Sequence, residues 1–232
     1  MVYDTLTYHP TIQKLIKFLD TSAGREKCLR LIQYLCRLAA FHLVRNGSVE
    51  LAAVVRRIQG VVTLDRKALR FLKPLSHLTA ASRLYDNELG DAYLRAGAIV
   101  KQLGFAAYLS ADSLQWFKLL GLVSAKRFPK LAKIASGFWF IALLGSLVQD
   151  LRNYQIGYAK STIEFNEKTD VVEVDKAALR QLASAKRNLG KDVLDALIAL
   201  NGMGALGHDD GKIGLFGVVT SVMGLQDLWP GN

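Results

Sequence analysis

The chain has 232 residues, 51% of them hydrophobic, and a mean hydropathy of +0.19. Its 30 Lys and Arg outnumber 20 Asp and Glu, which gives a formal net charge of +10. An apolar composition with so many cations is unusual for a soluble protein and favours a membrane protein. The first ten residues lack the basic segment and apolar core of a secretory signal, which argues against a secreted protein.

The positive charge lies in the first part of the chain. Residues 1–133 contain 21 Lys and Arg against 9 Asp and Glu, whereas residues 134–232 contain 9 against 11. A basic half predicts an anionic partner, either lipid headgroups or nucleic acid. A nucleic-acid binder would leave the apolar second part unexplained, so we expect an anionic phospholipid membrane as the partner and no nucleic acid.

Helical periodicity runs through almost the whole chain, and the alternation typical of strands is absent. This predicts an all-α membrane protein with amphipathic N-terminal helices and short apolar C-terminal helices. Within the second predicted helix, a narrow polar stripe lies beside a broad apolar arc; the stripe comprises Glu26, Arg30, Gln33 and Arg37. The helices predicted in the first half are Pro10–Asp20, Ser22–Arg45, Ser48–Ile58, Arg66–Ser82 and Asn87–Leu103.

Five regions follow from the distribution of charge and apolar residues. They are a basic amphipathic region at 1–85, further amphipathic and apolar helices at 86–133, a candidate membrane span at 134–149, a polar connection with its own helix at 150–192, and an apolar, glycine-rich helical hairpin or span at 193–232.

The segment Arg66–Ser82 has two opposite faces when it is wound as a helix. We predict that its basic face binds lipid headgroups and that its apolar face inserts into the membrane; the alternative is a surface helix whose leucines pack on the protein's own core. Pro74 predicts a kink between two amphipathic halves. The basic face comprises Arg66, Lys67, Arg70, Lys73 and His77, and the apolar face comprises Leu64, Ala68, Phe71, Leu72, Leu75 and Leu78.

Three apolar segments in the second part are short for a membrane span, which needs about 20 apolar residues. They are Ile134–Gln149, Ala196–Gly207 and Ile213–Gln226. Each is compatible with a soluble core helix, a short span in a thinned bilayer, or a helix shielded by neighbours. Four cations precede the first segment and only Arg152 follows closely, an asymmetry that favours a span with the N-terminal region in the cytosol.

Small residues recur along one face of the last segment. Close approach of a second helix at such a face is the usual means of helix association in membranes. We therefore predict either oligomerisation or packing within the chain at this face. Its members are Gly214, Gly217, Ser221 and Gly224.

The sequence contains no convincing catalytic, cofactor or metal site, so we do not expect an enzyme. Gly202–Gly207 matches GxGxxG, but the chain after it is too short for the rest of a nucleotide-binding sheet. Three consecutive residues, His208–Asp210, cannot converge on one ion. Cys28 and Cys36 lie about 12 Å apart along one predicted helix, too far for a disulfide with each other.

Three separated blocks of the sequence resemble the peroxin-eleven family of peroxisomal membrane proteins, in its fungal form. The blocks are LDTSAGREKCLRLIQYLCR at 19–37, FLKPLSHL at 71–78 and GLFGVVTSVMGLQDLWP at 214–230. The resemblance covers nearly the whole chain, although Glu26 stands where family members often carry Asp.

The resemblance implies a protein of the peroxisomal membrane that elongates peroxisomes before they divide. It implies lipid binding through an amphipathic helix, self-association into a homo-oligomer, and cooperation with a dynamin-type fission GTPase and its adaptors. The helix so implicated matches Arg66–Ser82. A channel-like pore for small metabolites is the alternative function that the family suggests.

Overall fold

The computed structural model describes residues 7–87, 90–124, 126–167 and 176–230. This part of the chain has eight helices with defined bounds and no strand, which confirms the all-α prediction. The helices are α1 (Pro10–Leu19), α2 (Ser22–Arg45), α3 (Val49–Arg70), α4 (Lys73–Asp86), α5 (Ala92–Leu119), α6 (Leu131–Glu167), α7 (Lys176–Met203) and α8 (Asp210–Leu228).

Two compact units divide these helices between them. The first unit contains α1, α2, α3 and α8, together with Trp116–Ser124. The second unit contains α4, α6, α7 and the part of α5 that precedes Trp116.

Short polar side chains cap the start of α2 and α8, whereas Ser48, the predicted cap of α3, makes no capping hydrogen bond through its side chain. Thr21 Oγ1 accepts a hydrogen bond from the Gly24 amide at 2.9 Å, and the Asp209 carboxylate accepts one from the Lys212 amide at 2.8 Å. Each bond satisfies a backbone donor that has no partner within the helix. Gly47, at a φ of 80°, terminates α2 in the left-handed conformation that glycine adopts readily.

The predicted helix Arg66–Ser82 is in fact two helices, which corrects the expectation of a kink. α3 continues well past its predicted end at Ile58 and stops at Arg70. Leu72 then adopts a φ of 65°, and α4 begins at Lys73 with Pro74 in its first turn. A proline in a first turn costs no helical hydrogen bond, so the chain breaks the helix instead of bending it.

Close crossing of α5 and α6 organises the second unit. A Cβ placed on Gly104 would lie 2.6 Å from the Ala142 nitrogen, and one on Gly97 would lie 2.8 Å from the Gly145 oxygen. The other side of α6 packs against α7, where Leu143, Ala196 and Ala199 form a buried cluster. Small residues thus set the helix spacing on both sides of α6.

The helix α6 is much longer than the apolar segment at 134–149, and residues first assigned to the polar connection extend it to Glu167. Among the described residues it is the one helix long and apolar enough to cross a membrane, over Leu131–Ser161. Only 33% of its most apolar window is buried in the protein. Much of this apolar surface therefore needs a covering that the described chain does not provide.

Candidate membrane-binding site

Charged side chains lie between the helices of the first unit. Glu26 of α2 and Arg66 of α3 are 5% and 8% exposed. Arg66 donates from Nε and Nη2 to Glu26 Oε1 at 3.0 and 2.6 Å, and from Nη1 to Gln33 Oε1. Arg70 Nη1 lies 3.8 Å from the same Glu26 oxygen. We name this set of side chains, together with two others that are described below, the polar seam. It comprises Glu26, Arg30, Gln33, Arg66, Arg70 and Thr220.

The surroundings of Glu26 keep its carboxylate charged. Burial alone would raise its pKa, but the positive charges of Arg66, Lys27 and Arg70 and the Arg66 hydrogen bond lower that pKa from 4.5 to about 2. The polar seam is therefore ionic at neutral pH, since the carboxylate and the Arg66 guanidinium are both charged.

The polar seam extends to α8 through one further hydrogen bond. Arg30 Nη2 donates to Thr220 Oγ1 at 2.9 Å, with Arg30 8% and Thr220 1% exposed. An exposed ion pair adds to the same helix pairing, because Arg37 donates to Asp210 Oδ1 at 2.7 and 2.9 Å. The narrow polar stripe predicted on α2 thus faces α3 and α8.

The small-residue face of α8 packs against α2 within the same chain. A Cβ on Gly214 would lie 3.0 Å from Leu38, and one on Gly217 would overlap the Tyr34 ring. Ser221 is fully buried, and Gly224 lies next to Lys27. Of the two roles predicted for this face, the structure shows packing within the chain, and α2 already occupies the surface that an oligomer would need.

Apolar side chains point outward from the same helices. On α3 four of them follow one another at i, i+3, i+7 and i+10, and they are between 46% and 62% exposed. We name this set the outer stripe; it comprises Leu51, Val54, Ile58 and Val61. Leu215 and Val219 of α8 and Ile32 of α2 are also exposed. The first unit therefore buries charged groups beside apolar residues such as Phe18 and Ile213, and it leaves many apolar side chains exposed, which is unusual for a water-soluble bundle.

The apolar face predicted for Arg66–Ser82 is largely exposed. Leu72, Leu75 and Leu78 are between 49% and 61% exposed, and Ala68 is exposed as well. Leu64 is half-buried, and Phe71 keeps 39% exposure while its ring lies 5.3 Å from that of Trp116. The alternative of leucines packing on the protein's own core therefore fails for Leu72, just before α4, and for Leu75 and Leu78 of α4, and membrane insertion stays a prediction.

The basic face predicted for the same segment is not a continuous exposed surface. Arg66 and Lys67 are each 8% exposed, and the Arg70 side chain is 13% exposed beside Glu26. Lys73 and His77 are half-buried, and His77 Nδ1 lies 2.6 Å from Gln102 Oε1. This corrects the headgroup-binding assignment for Arg66, because its guanidinium holds α3 to α2. The exposed cations of α3 are instead Arg56 and Arg57.

Comparison with known proteins identifies the family. The family model for peroxisomal biogenesis factor 11 (PEX11) matches residues 12–229. The chain belongs to this family. It is 42% identical to peroxisomal membrane protein PMP30A of Candida boidinii, over 99% of this chain and 98% of that protein. It is 40% identical to peroxisomal membrane protein PMP27 of Saccharomyces cerevisiae, over 99% of both chains.

Membership of this family confirms the resemblance that the three sequence blocks carry. A more distant relative, peroxisomal biogenesis factor 11 of Schizosaccharomyces pombe, is 24% identical over 97% of both chains. No solved structure matches the chain.

Two features of the first unit were not predicted from the sequence. The pairing of Glu26 with Arg66 joins residues of two different helices, and no local spacing connects them. The outer stripe was missed because the third helix was expected to end at Ile58, inside the stripe. Its spacing was nevertheless a readable signal, since four apolar residues recur at helical intervals from Leu51 to Val61.

Proposed function

We propose that the chain elongates the peroxisomal membrane by inserting the outward apolar faces of its first-unit helices and of α4 into one leaflet. The observation that carries this proposal is that the first unit buries the polar seam while it leaves the outer stripe exposed. The peroxisomal location rests on family membership and on the names of the relatives. Insertion into one leaflet expands its area relative to the other and so favours curvature.

The apolar contribution should exceed the electrostatic one. Each of the four outer-stripe side chains gains at most about 1.5–3 kcal/mol on full burial, and less at partial depth. Arg56 and Arg57, exposed on α3, add roughly 1 kcal/mol each against anionic headgroups. Binding to anionic vesicles is therefore expected to weaken as salt rises but not to disappear.

A charge placed in the outer stripe tests the proposal. Ile58→Glu should reduce the tubulation of anionic vesicles by the purified full-length protein, viewed by electron microscopy, because a carboxylate must be desolvated to enter the leaflet. Ala53→Glu is the matched control, since Ala53 is exposed on the same helix outside the stripe. Tubulation that is equally strong with Ile58→Glu would refute insertion through α3. Leu72→Glu with Leu75→Glu tests α4 in the same assay.

The remaining parts of the proposal concern partners and orientation. We propose self-association through a surface other than the small-residue face of α8, which α2 occupies. Cooperation with a dynamin-type fission GTPase and its adaptors rests on the family resemblance alone. A cytosolic N-terminal region rests on the cations that precede the apolar segment Ile134–Gln149, among them Lys130 and Lys133.

A pore for small metabolites is the second candidate, and buried polar side chains in the second unit favour it. Ser146 of α6 accepts a hydrogen bond from Lys101 Nζ of α5 at 2.8 Å. Asp150, Asp192 and Asp195 are each 7% exposed on α6 and α7. Ionisable groups in a membrane helix commonly mark ion or substrate pathways. Release of an entrapped dye from vesicles that stay round would favour the pore, and tubules that retain dye would favour elongation.

A further inference from the structure

A cavity of about 390 Å³ opens in the second unit beside the start of α5. Its walls come from the end of α4, the first turns of α5 and the middle of α6. Its lining includes apolar side chains, those of Leu84, Leu94 and Ala98, and polar ones, those of Arg95, Gln149 and Asn153. A cavity lined by both apolar and polar side chains suits an amphiphilic ligand.

The acidic residue at the cavity is already satisfied by its neighbours. Asp91 Oδ1 accepts hydrogen bonds from the amides of Tyr93 and Leu94, both at 3.0 Å. Asp91 Oδ2 accepts from Arg152 Nε at 2.8 Å and from Nη2 at 2.7 Å. The Arg152 hydrogen bond, followed by that of the Leu94 amide, holds the pKa of Asp91 below its ordinary value, so its charge is offset by Arg152.

Among the described residues that line the cavity, the remaining charge is therefore positive. Arg95 Nη1 donates to the Asn87 carbonyl oxygen at 3.3 Å, and Arg95 has no carboxylate partner in the described part of the chain. The Asn153 side-chain amide makes no hydrogen bond to any described residue and can donate to a ligand. Gln149 is held in place by a bond from its Nε2 to the Leu94 oxygen at 3.4 Å. A guanidinium with a nearby amide donor is an arrangement that recognises a phosphate oxyanion.

The position of the cavity along α6 identifies the source of the phosphate. Gln149 is the last residue of the uncharged segment Ile134–Gln149, and Asn153 lies one turn beyond it. All of Leu131–Ser161 is long enough to cross a membrane, but the charged residues Asp150 and Arg152 directly follow the uncharged segment. If the hydrocarbon core covers that uncharged segment alone, this level is the interface at which phospholipid phosphates lie. Leu84, Leu94 and Ala98 then face the start of the acyl chains. This step rests on the proposed membrane function.

We propose that this cavity binds the phosphodiester of a membrane phospholipid, with Arg95 and Asn153 holding the phosphate and the three apolar side chains contacting the upper acyl chains. The ligand chemistry is a phosphoester anion, for which a soluble phosphoester is the other source. The site would keep one lipid molecule bound to the second unit, separately from the insertion of apolar faces into the leaflet.

Three small probes separate the possible ligands in detergent solution. They are dioctanoyl-phosphatidylglycerol, which has phosphate and chains, glycerophosphoglycerol, which has phosphate only, and dioctanoylglycerol, which has chains only. Native mass spectrometry of the full-length protein reports the bound fraction at each concentration. We expect phosphatidylglycerol to bind most tightly. Equal binding of glycerophosphoglycerol would overturn the lipid as the source, and equal binding of dioctanoylglycerol would overturn the phosphate site.

Variants connect the binding to the cavity. Arg95→Gln should weaken binding of dioctanoyl-phosphatidylglycerol about tenfold, the loss expected for one charge-assisted hydrogen bond. Arg83→Gln, an exposed arginine of α4 that does not line the cavity, should leave it unchanged. Equal losses in both variants would overturn the proposal in favour of general charge attraction. Asn153→Leu supplies a second test if Arg95→Gln does not fold, with folding judged from circular dichroism.

The vesicle assay keeps the two proposals apart. Arg95→Gln protein that loses the lipid but still tubulates vesicles would support the cavity as a separate site and leave the proposed function standing. Unaltered protein that binds the lipid through Arg95 but forms no tubules would overturn the proposed function alone.

Discussion

Replacing Glu26 by Gln should strongly destabilise the first unit. The change keeps the size of the side chain but leaves the buried Arg66 guanidinium without its counter-charge. The lowering of the Glu26 pKa from 4.5 to about 2 corresponds to about 3 kcal/mol of stability, at about 1.4 kcal/mol for each tenfold change in proton affinity. Removing one partner of a buried ion pair costs a similar amount, about 3–5 kcal/mol.

Thermal unfolding followed by circular dichroism in nonionic detergent measures the effect. A loss of about 3 kcal/mol should lower the Tm by roughly 6–12 °C for a chain of this size. Glu50→Gln is the matched control, because Glu50 is exposed in the first turn of α3. The control should change the Tm much less.

The pH dependence gives an independent check on the same ion pair. Since the pKa of Glu26 is lowered on folding, its stabilisation is fully present above about pH 4.5 and is lost as the pH falls toward 2. The difference in Tm between the unaltered chain and Glu26→Gln should shrink over that interval. A Glu26→Gln protein with an unchanged Tm at pH 7, or with a difference that does not depend on pH, would refute the ion pair as a source of stability.

Two further predictions concern the contact between α2 and α8, measured by the same unfolding assay. Gly217→Ala should cost about 1–3 kcal/mol because the added Cβ overlaps the Tyr34 ring, whereas Gly190→Ala, with no atom within 4 Å of its Cβ, should be neutral or slightly stabilising; equal effects would contradict the close packing. Arg37→Gln should cost only about 0.5 kcal/mol, less in high salt, because the Arg37–Asp210 pair is partly exposed; a loss as large as that of Glu26→Gln would contradict this ranking.

Much of the fold could be read from the sequence because its helix ends carry local signals. Pro10 in a first turn, Thr21 before a long helix and Gly47 after it mark α1 and α2 within about a residue. The prediction of the boundary between α3 and α4 was wrong for a different reason. Pro74 was assigned to a helix interior, whereas the left-handed Leu72 places it in a first turn, and nothing in a leucine's identity predicts that conformation.

The charged residues of the polar seam explain why the sequence could not predict which face of α2 is buried. An amphipathic pattern defines two faces of a helix but does not say which of them is buried. In a water-soluble protein the apolar face would be the buried one. In α2 the narrow polar stripe meets the cations of α3 and the hydroxyl of Thr220, so Glu26 and Arg30 both have partners there. The broad apolar arc can then remain outside at low cost only where the surrounding medium is itself apolar. The partners of Glu26 and Arg30, which lie far away in sequence, therefore decide which face of α2 is buried, and the exposed apolar side chains that result are what supports the proposed membrane contact of the first unit.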